Sequence, residues 1–317
     1  MVQTDIRSRA WTRYWASGAL HSCDGSFALE GEGAIAAFWR AAFIDAPTQG
    51  HLLDLGTGNG GLMLAASRAL QAWQLSGVDL SRPILPWLDA GRDDDRIQLF
   101  AETRMEQVPL PSGAINLLVS QFGIEYADHQ QVVREALRLL APGGRLALVV
   151  HHAESVVTRV AADELRALDL LAADDGLLAA MTVVLPHMAA LRGGQAPSPA
   201  AYAAREAFNR AMREVSALMA TLEVADVLGQ AQAGVQGMLL AVHPGNLHEA
   251  LGKLAAYRDE LAAAAVRARE QIQAAMTRAQ LDAFLTGFRE AMPALEASPL
   301  LQDGKLIAWA VRGMRAD

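Results

Sequence analysis

Residues 51–61, His51-Leu52-Leu53-Asp54-Leu55-Gly56-Thr57-Gly58-Asn59-Gly60-Gly61, decide the fold. A short apolar run broken by one acid reads as a strand, the glycines after it as a tight turn, and Leu62 to Trp73 as a helix. Glycine has no Cβ and tolerates positive φ, so a strand that ends in such a turn and opens into a helix lets the backbone approach a ligand closely. Gly56, Gly58 and Gly61 satisfy G-x-G-x-x-G, and Asp79 follows at the end of the next strand, where a carboxylate can accept from both hydroxyls of a ribose. Taken alone, these four residues would suit a nicotinamide dinucleotide.

Working outward, short apolar runs alternate with helical stretches as far as His152. Strands are expected at Leu75–Asp79, Ile97–Phe100, Ile115–Ser120 and Arg145–His151. Helices are expected at Pro83–Ala90, with proline suited to the first turn, and at Gln130–Leu140, stopped by Ala141-Pro142-Gly143-Gly144. This alternation is the signature of a parallel α/β sheet. From about 155 to 275 the texture is helical and Ala-rich, punctuated at Gly193–Pro199 and His243–Asn246 into at least three segments, and Lys305–Val311 returns to strand texture. The expected organisation is an N-terminal helical cap (1–48), a cofactor-binding core (49–154), a helical insertion (155–275), and a closing helix with the last strands (276–317). Leu247, Leu251, Leu254, Leu261 and Ile272 form a near-heptad stripe, read as a packed helical hairpin with a homodimer seam left open.

Three further features sit in order along the core: the acid Asp54 two residues before the first glycine, the segment Glu106-Gln107-Val108-Pro109-Leu110-Pro111, and the turn Leu139-Leu140-Ala141-Pro142-Gly143-Gly144. Together with the glycine loop they resemble the class I S-adenosylmethionine-dependent methyltransferases, in particular the bacterial small-molecule branch. Leu53–Gly60 is similar to that family's hydrophobic-acid-hydrophobic-G-x-G-x-G motif, and the resemblance resumes at Thr277–Arg315. It implies a Rossmann-like, doubly wound seven-stranded α/β sheet with a large helical insertion after the fifth strand. It also implies S-adenosyl-L-methionine as cofactor, held by Asp54, Gly56, Thr57, Gly58, Asn59, Gly60, Asp79, Leu80, Met105, Glu106, Ser120 and Gln121. Two positions depart from the family: Asn116 and Arg104 stand where it commonly has acids.

A sulfonium cofactor carries the reactive group itself, so the protein's task is to align the acceptor and exclude water. Where an acceptor must lose a proton, a base is expected near the strand ends, and Glu125, His151 and His152 are the candidates; adjacent strand residues face opposite ways, so at most one of the two histidines looks into the cleft. The aromatic cluster Trp11, Tyr14, Trp15, Phe27, Phe38, Trp39 and Phe43 suggests helices covering a sheet edge, part of them closing over the cofactor. With a formal net charge of -8 and no basic stripe, nucleic acid is not expected as partner. The lone Cys23 excludes an intrachain disulfide framework and any zinc site built from several cysteines; no metal site is expected. The first fifteen residues lack an apolar signal core, and Gly176–Leu191 is interrupted and too short to span a bilayer, so a cytoplasmic protein free of the membrane is expected. The expected function is methyl transfer to a small organic acceptor; an NAD(P)-dependent oxidoreductase and a non-catalytic cofactor-binding subunit are the alternatives.

Overall fold

The computed structural model describes residues 2–20, 32–88 and 94–317. Cys23 and Phe27 lie outside the described residues. In chain order the elements are α1 (Val2–Trp15), α2 (Ala34–Ile44), β1 (Gly50–Leu55), α3 (Gly61–Ala69), β2 (Trp73–Val78), β3 (Ile97–Phe100) and β4 (Ile115–Gln121). After a 3-10 turn at Ile124–Tyr126 come α4 (His129–Leu139), β5 (Leu140–Val150), α5 (Val156–Ala172), α6 (Leu177–Arg192), α7 (Pro199–Met219) and α8 (Asp226–Ala241). The chain closes with α9 (Leu247–Ala274), α10 (Arg278–Arg289), β6 (Glu296–Gln302) and β7 (Lys305–Met314).

The seven strands form one sheet in the order β3-β2-β1-β4-β5-β7-β6. β1 to β5 are parallel and β7 is antiparallel to both neighbours, β5 and β6. This is the expected doubly wound sheet, and its order reverses beside β1, the switch point where open α/β sheets bind ligands. The period-2 geometry of a strand sends alternate residues of β1 to opposite layers. Leu53 and Leu55 enter a core with Val132, Ala136 and Leu139 of α4 and Phe284, Leu285 and Phe288 of α10. Leu52 enters the other core, with Phe38 and Trp39 of α2 and Leu62, Met63 and Ala66 of α3. Helix starts follow local chemistry: Asp128 caps α4 by accepting from Gln131 N, and Thr277 and Gln280 make a reciprocal capping box on α10.

Two local expectations are corrected. The helix opened by Gly61 stops at Ala69 and does not reach Trp73, which begins β2, because the indole Nε1 donates to Pro47 O at 3.0 Å and holds Trp73 in the sheet. No helix forms over residues 83–88: Ile84 N donates to Asn59 Oδ1 (2.8 Å) and Trp87 Nε1 to Asn59 O (2.9 Å), so tertiary bonds to the glycine loop override the local propensity. Asp89 and Ala90, the end of that expected helix, lie outside the described residues.

The chain divides into two compact units, residues 1–159 with 270–317, and residues 160–269. The second unit begins inside α5 and ends inside α9, within the expected insertion limits of 155 and 275. It has its own core, built from Leu168, Leu171, Met181, Leu185, Phe208, Leu228 and others; Leu254 and Leu261 of the near-heptad stripe are buried in it. α6 contains Pro186 within an otherwise regular helix. Among the described residues no helix is long and apolar enough to cross a membrane.

Candidate cofactor site

β1 ends in a loop whose backbone only glycine accommodates comfortably. Gly56 and Gly58 have φ of 73° and 51°. A Cβ on Gly56 would stand 2.9 Å from Gly123 Cα, so the backbones leaving β1 and β4 touch there. Gly56 N and Thr57 N both donate to Val78 O, which fixes the loop against the end of β2.

Two acids occupy adjacent strand ends of this cradle. Asp54 pairs across the sheet with Gly77 and accepts from Thr57 Oγ1 at 2.8 Å. Its carboxyl is fully buried and pushed up to about 7, chiefly by burial and further by the charge of Asp79, with the Thr57 hydrogen bond pulling the other way. Asp79 Oδ2 accepts from Gly58 N at 2.9 Å, and its Oδ1 accepts from Ser81 N and Ser81 Oγ at 2.8 and 2.6 Å. A carboxylate has about four acceptor positions, so Asp79 keeps room for a further donor.

Both acids line one cavity, together with Gly56, Thr57, Leu80, Met105, Glu106 and Gln121 of the expected cofactor set. Gly58, Asn59, Gly60 and Ser120 of that set do not line it, and each has another task. Gly58 faces Trp15, whose ring carbon would lie 2.5 Å from a Cβ there. Asn59 is fully buried; its Nδ2 donates to Trp15 O and Ala19 O, both at 2.8 Å. Gly60, with φ 74°, caps α3 under Leu85 and Trp87. Ser120 Oγ donates to Leu55 O (2.6 Å) and accepts from Ile124 N (2.8 Å), tying β4 to β1.

The fourth side of the cavity is α1, from which Arg7, Ser8, Trp11 and Trp15 contribute. Trp11 and Trp15 stack with centroids 5.9 Å apart, and Trp11 meets Tyr126 edge-on at 6.0 Å. α1 is held by Ser8 Oγ donating to Leu80 O, Arg82 N donating to Thr12 Oγ1, and Arg7 Nη2 donating to Tyr126 O. Glu270 completes the attachment: it is paired with Arg7 at 3.1 Å and accepts from Trp11 Nε1 at 3.0 Å. Burial raises the Glu270 carboxyl, against the pull of both partners. The aromatic density between Trp11 and Phe43 pointed first to Tyr14 and Trp15; Trp15 lines the cavity, Tyr14 does not, and Trp11 of the same cluster takes its place. Nothing local marked Arg7, Ser8 or Glu270, because their pairings span 72 to 263 positions of sequence.

None of the three candidate bases lines the cavity. His151 and Glu125 form a buried pair: Glu125 Oε1 accepts from His151 N and from Nδ1, both at 2.8 Å. The His151 ring lies 4.2 Å from that of Phe122, and Phe122 and Tyr126 are the cavity wall in front of it. Phe122 has φ 55°, an unusual conformation for a residue with a side chain. His152 stacks on Trp309 at 4.2 Å and its Nδ1 accepts from Glu154 N, with burial lowering its basicity. The two adjacent histidines thus have different surroundings, His151 against the cavity-lining Phe122 and His152 against Trp309.

The two departures from the motif pattern have local explanations. Asn116 Oδ1 accepts from His51 N at 2.9 Å, a bond within the sheet and away from the cavity. Arg104 lines the cavity and is paired at 3.1 Å with Glu106, which also accepts from Asp128 N. No group of three or more His, Cys, Asp or Glu able to hold a metal occurs among the described residues.

A glycine cradle at the switch point, an acid after β2 with a spare acceptor position, and a second acid in the same cavity define a domain that binds a nucleoside-bearing cofactor. The family model described as a methyltransferase domain matches residues 53–148 of the 317. Among curated proteins the chain is 39% identical over 108 residues to the malonyl-[acyl-carrier protein] O-methyltransferase of Alcanivorax borkumensis, covering 33% of this chain and 36% of that protein. It is 29% identical over 116 residues to the demethylmenaquinone methyltransferase of Thermus thermophilus, covering 35% and 53%. The chain thus spans about a third to a half of the length of these relatives. A crystal structure of an S-adenosylmethionine-dependent methyltransferase from Mesorhizobium loti is 26% identical over 39% of this chain and 56% of that one, with a TM-score of 0.33. A methyltransferase domain implies S-adenosylmethionine as cofactor, and the residues present fit it: carboxylates for an ammonium and a ribose, a backbone cradle that a Cβ would fill, and apolar walls.

Proposed function

We propose that this chain transfers the methyl group of S-adenosylmethionine to a small organic acceptor. The observation that carries the proposal is the placement of Asp54 and Asp79 at the ends of adjacent parallel strands, in one cavity with a glycine cradle on one side and α1 on the other. When bound, the sulfonium supplies an activated methyl group. Asp79 accepts from the ribose, Asp54 receives the methionine ammonium, and Trp11 and Trp15 keep water from the reacting centre. The His151–Glu125 pair supports Phe122 and the turn after β4, so the chain's own contribution to methyl transfer is alignment and exclusion of solvent. Acceptor choice is set outside the matched stretch, by segments that vary among proteins sharing this sheet. The formal net charge of -8 supports a small-molecule acceptor over a nucleic acid.

Calorimetric titration with S-adenosylhomocysteine, NADH and NADPH after dialysis tests the reading. Micromolar affinity for the first alone is expected. Asp79→Ala should weaken it by about 1–3 kcal/mol, the cost of leaving buried ribose hydroxyls without an acceptor. Binding of a dinucleotide in place of the adenosylhomocysteine would overturn the proposal, and unchanged affinity in a folded Asp79→Ala would remove that residue from the site.

A further inference from the structure

A single carboxylate holds two cavity residues at once. Glu270 Oε1 is paired with Arg7 Nε at 3.1 Å, and Glu270 Oε2 accepts from Trp11 Nε1 at 3.0 Å. Arg7 and Trp11 are four positions apart on α1, so they share one face of the helix, and both line the cavity. The Arg7 and Glu270 side chains are 27% and 19% exposed, which shields the pair from the screening that makes surface ion pairs weak. The ties at Ser8, Thr12 and Trp15 of α1 join neutral groups, and hydrogen bonds to an ionised group are roughly twice as strong as those. Glu270 lies in α9, outside the matched stretch, and belongs to the same compact unit as α1.

From Arg7 the connection continues across the cavity. Its Nη2 donates to Tyr126 O at 2.9 Å, and its guanidinium lies 5.4 Å from the centroid of the Tyr126 ring, which Trp11 meets edge-on at 6.0 Å. Tyr126 stands in the turn after β4, so Glu270, through Arg7 and Trp11, sets how closely α1 approaches that turn. Little else presses the helix down: of its described apolar side chains Ala10 and Trp15 are buried, and Ile6 is half exposed. Trp15, bonded through its carbonyl to Asn59, anchors the C-terminal end of α1; Trp11 and Arg7 lie about one and two turns before it. A helix anchored at one end and held along the rest by a few polar bonds belongs to the part of a structure that opens most readily.

We propose that Glu270 is a positioning residue whose bonds to Arg7 and Trp11 latch α1 as the movable wall of the cavity, so that a ligand enters and leaves when those bonds break and α1 pivots about Trp15. The latch bonds form without a ligand, so their strength enters the opening of the filled and of the empty cavity equally. Breaking them speeds entry and exit alike and leaves affinity nearly unchanged, whereas damage to a ligand's own contacts speeds exit alone. The identity of the ligand rests on the cofactor reading above; the latch rests on bonds made between α1 and α9.

The test uses the full chain with two variants: Glu270→Gln, which keeps an acceptor for Trp11 and removes the charge that Arg7 meets, and Arg7→Met, which breaks the same pair from the other side. In the ligand-free protein, amide exchange in α1 should rise about 5- to 50-fold in each variant while β1 and β4 stay as they are. The double variant should add little to either single one, because both remove one bond. Stopped-flow tryptophan emission with S-adenosylhomocysteine should show that Glu270→Gln speeds association and dissociation by about the same factor, with a Kd within about threefold of the parent's. Unchanged exchange in α1, exchange that rises equally in β1 and β4, or faster dissociation with association unchanged would overturn the latch while leaving the cofactor reading intact. Failure of the parent to bind the adenosylhomocysteine would overturn the cofactor reading, and exchange in α1 would still decide the latch.

Discussion

A buried acid that titrates near neutrality makes its environment measurable. The Asp54 carboxyl is raised from 3.8 to about 7, mainly because burial disfavours its charged form. For a raised acid the sign is fixed: its contribution to stability is fully present below the unfolded-state pKa and is lost as pH rises through the folded one. The ligand-free protein should therefore lose stability between about pH 4 and pH 7 on account of Asp54, by up to on the order of 4 kcal/mol. An ammonium-bearing ligand binds the ionised form, so S-adenosylhomocysteine affinity should climb over the same interval and level off above it. Asp54→Asn removes the titration. The expected result is a flatter melting-temperature profile from pH 5 to 8.5, together with an affinity that is weaker and no longer depends on pH near 7. A variant whose two profiles parallel those of the parent would assign the pH dependence to another group.

At the scale of elements, α1 is held to the rest of its unit more by polar bonds than by apolar burial. Only Ala10 and Trp15 among its described apolar side chains are in the core, whereas hydrogen bonds reach Leu80, Arg82, Tyr126, Glu270 and Asn59. Asn59 is the most committed of these partners, since it also accepts from Ile84 N. Asn59→Ala should cost about 1–3 kcal/mol in stability and, by loosening α1 and the 81–88 segment together, should speed dissociation of S-adenosylhomocysteine in stopped-flow fluorescence. Amide exchange that stayed slow in α1 of this variant would show that the helix is secured elsewhere. The same residues mark the limit of sequence reading. β1, its glycine turn and Asp79 were legible because their signals lie within thirty residues and follow from backbone requirements. Asn59 was expected to touch cofactor and Gly58 to open its path; their actual partners, Trp15 O and the Trp15 ring, lie more than forty positions away and leave no local trace. Glu125 and His151 were legible as separate candidate bases beyond β4 and β5, but their pairing with each other spans 26 positions, and whether Phe122 stands in front of them depends on a left-handed backbone that the sequence does not announce.

The whole molecule contains two units with separate cores, and the matched methyltransferase stretch lies entirely in one of them. Heat should therefore not produce a single two-state transition. A ligand stabilises only what it binds, in proportion to the logarithm of its concentration over its Kd. The cavity is lined wholly by residues of the unit formed by 1–159 and 270–317. Calorimetric scans should thus show two components, of which saturating S-adenosylhomocysteine raises one; at 100 times Kd the stabilisation should be about 2.7 kcal/mol. Hydrogen exchange identifies the component by its peptides, with added protection expected in β1, β2, β4 and α1 and little change across residues 160–269. If both components rose together, or if peptides of the helical unit gained protection equally, binding energy would be reaching that unit as well, and cofactor loading would have to be treated as a state of the entire chain.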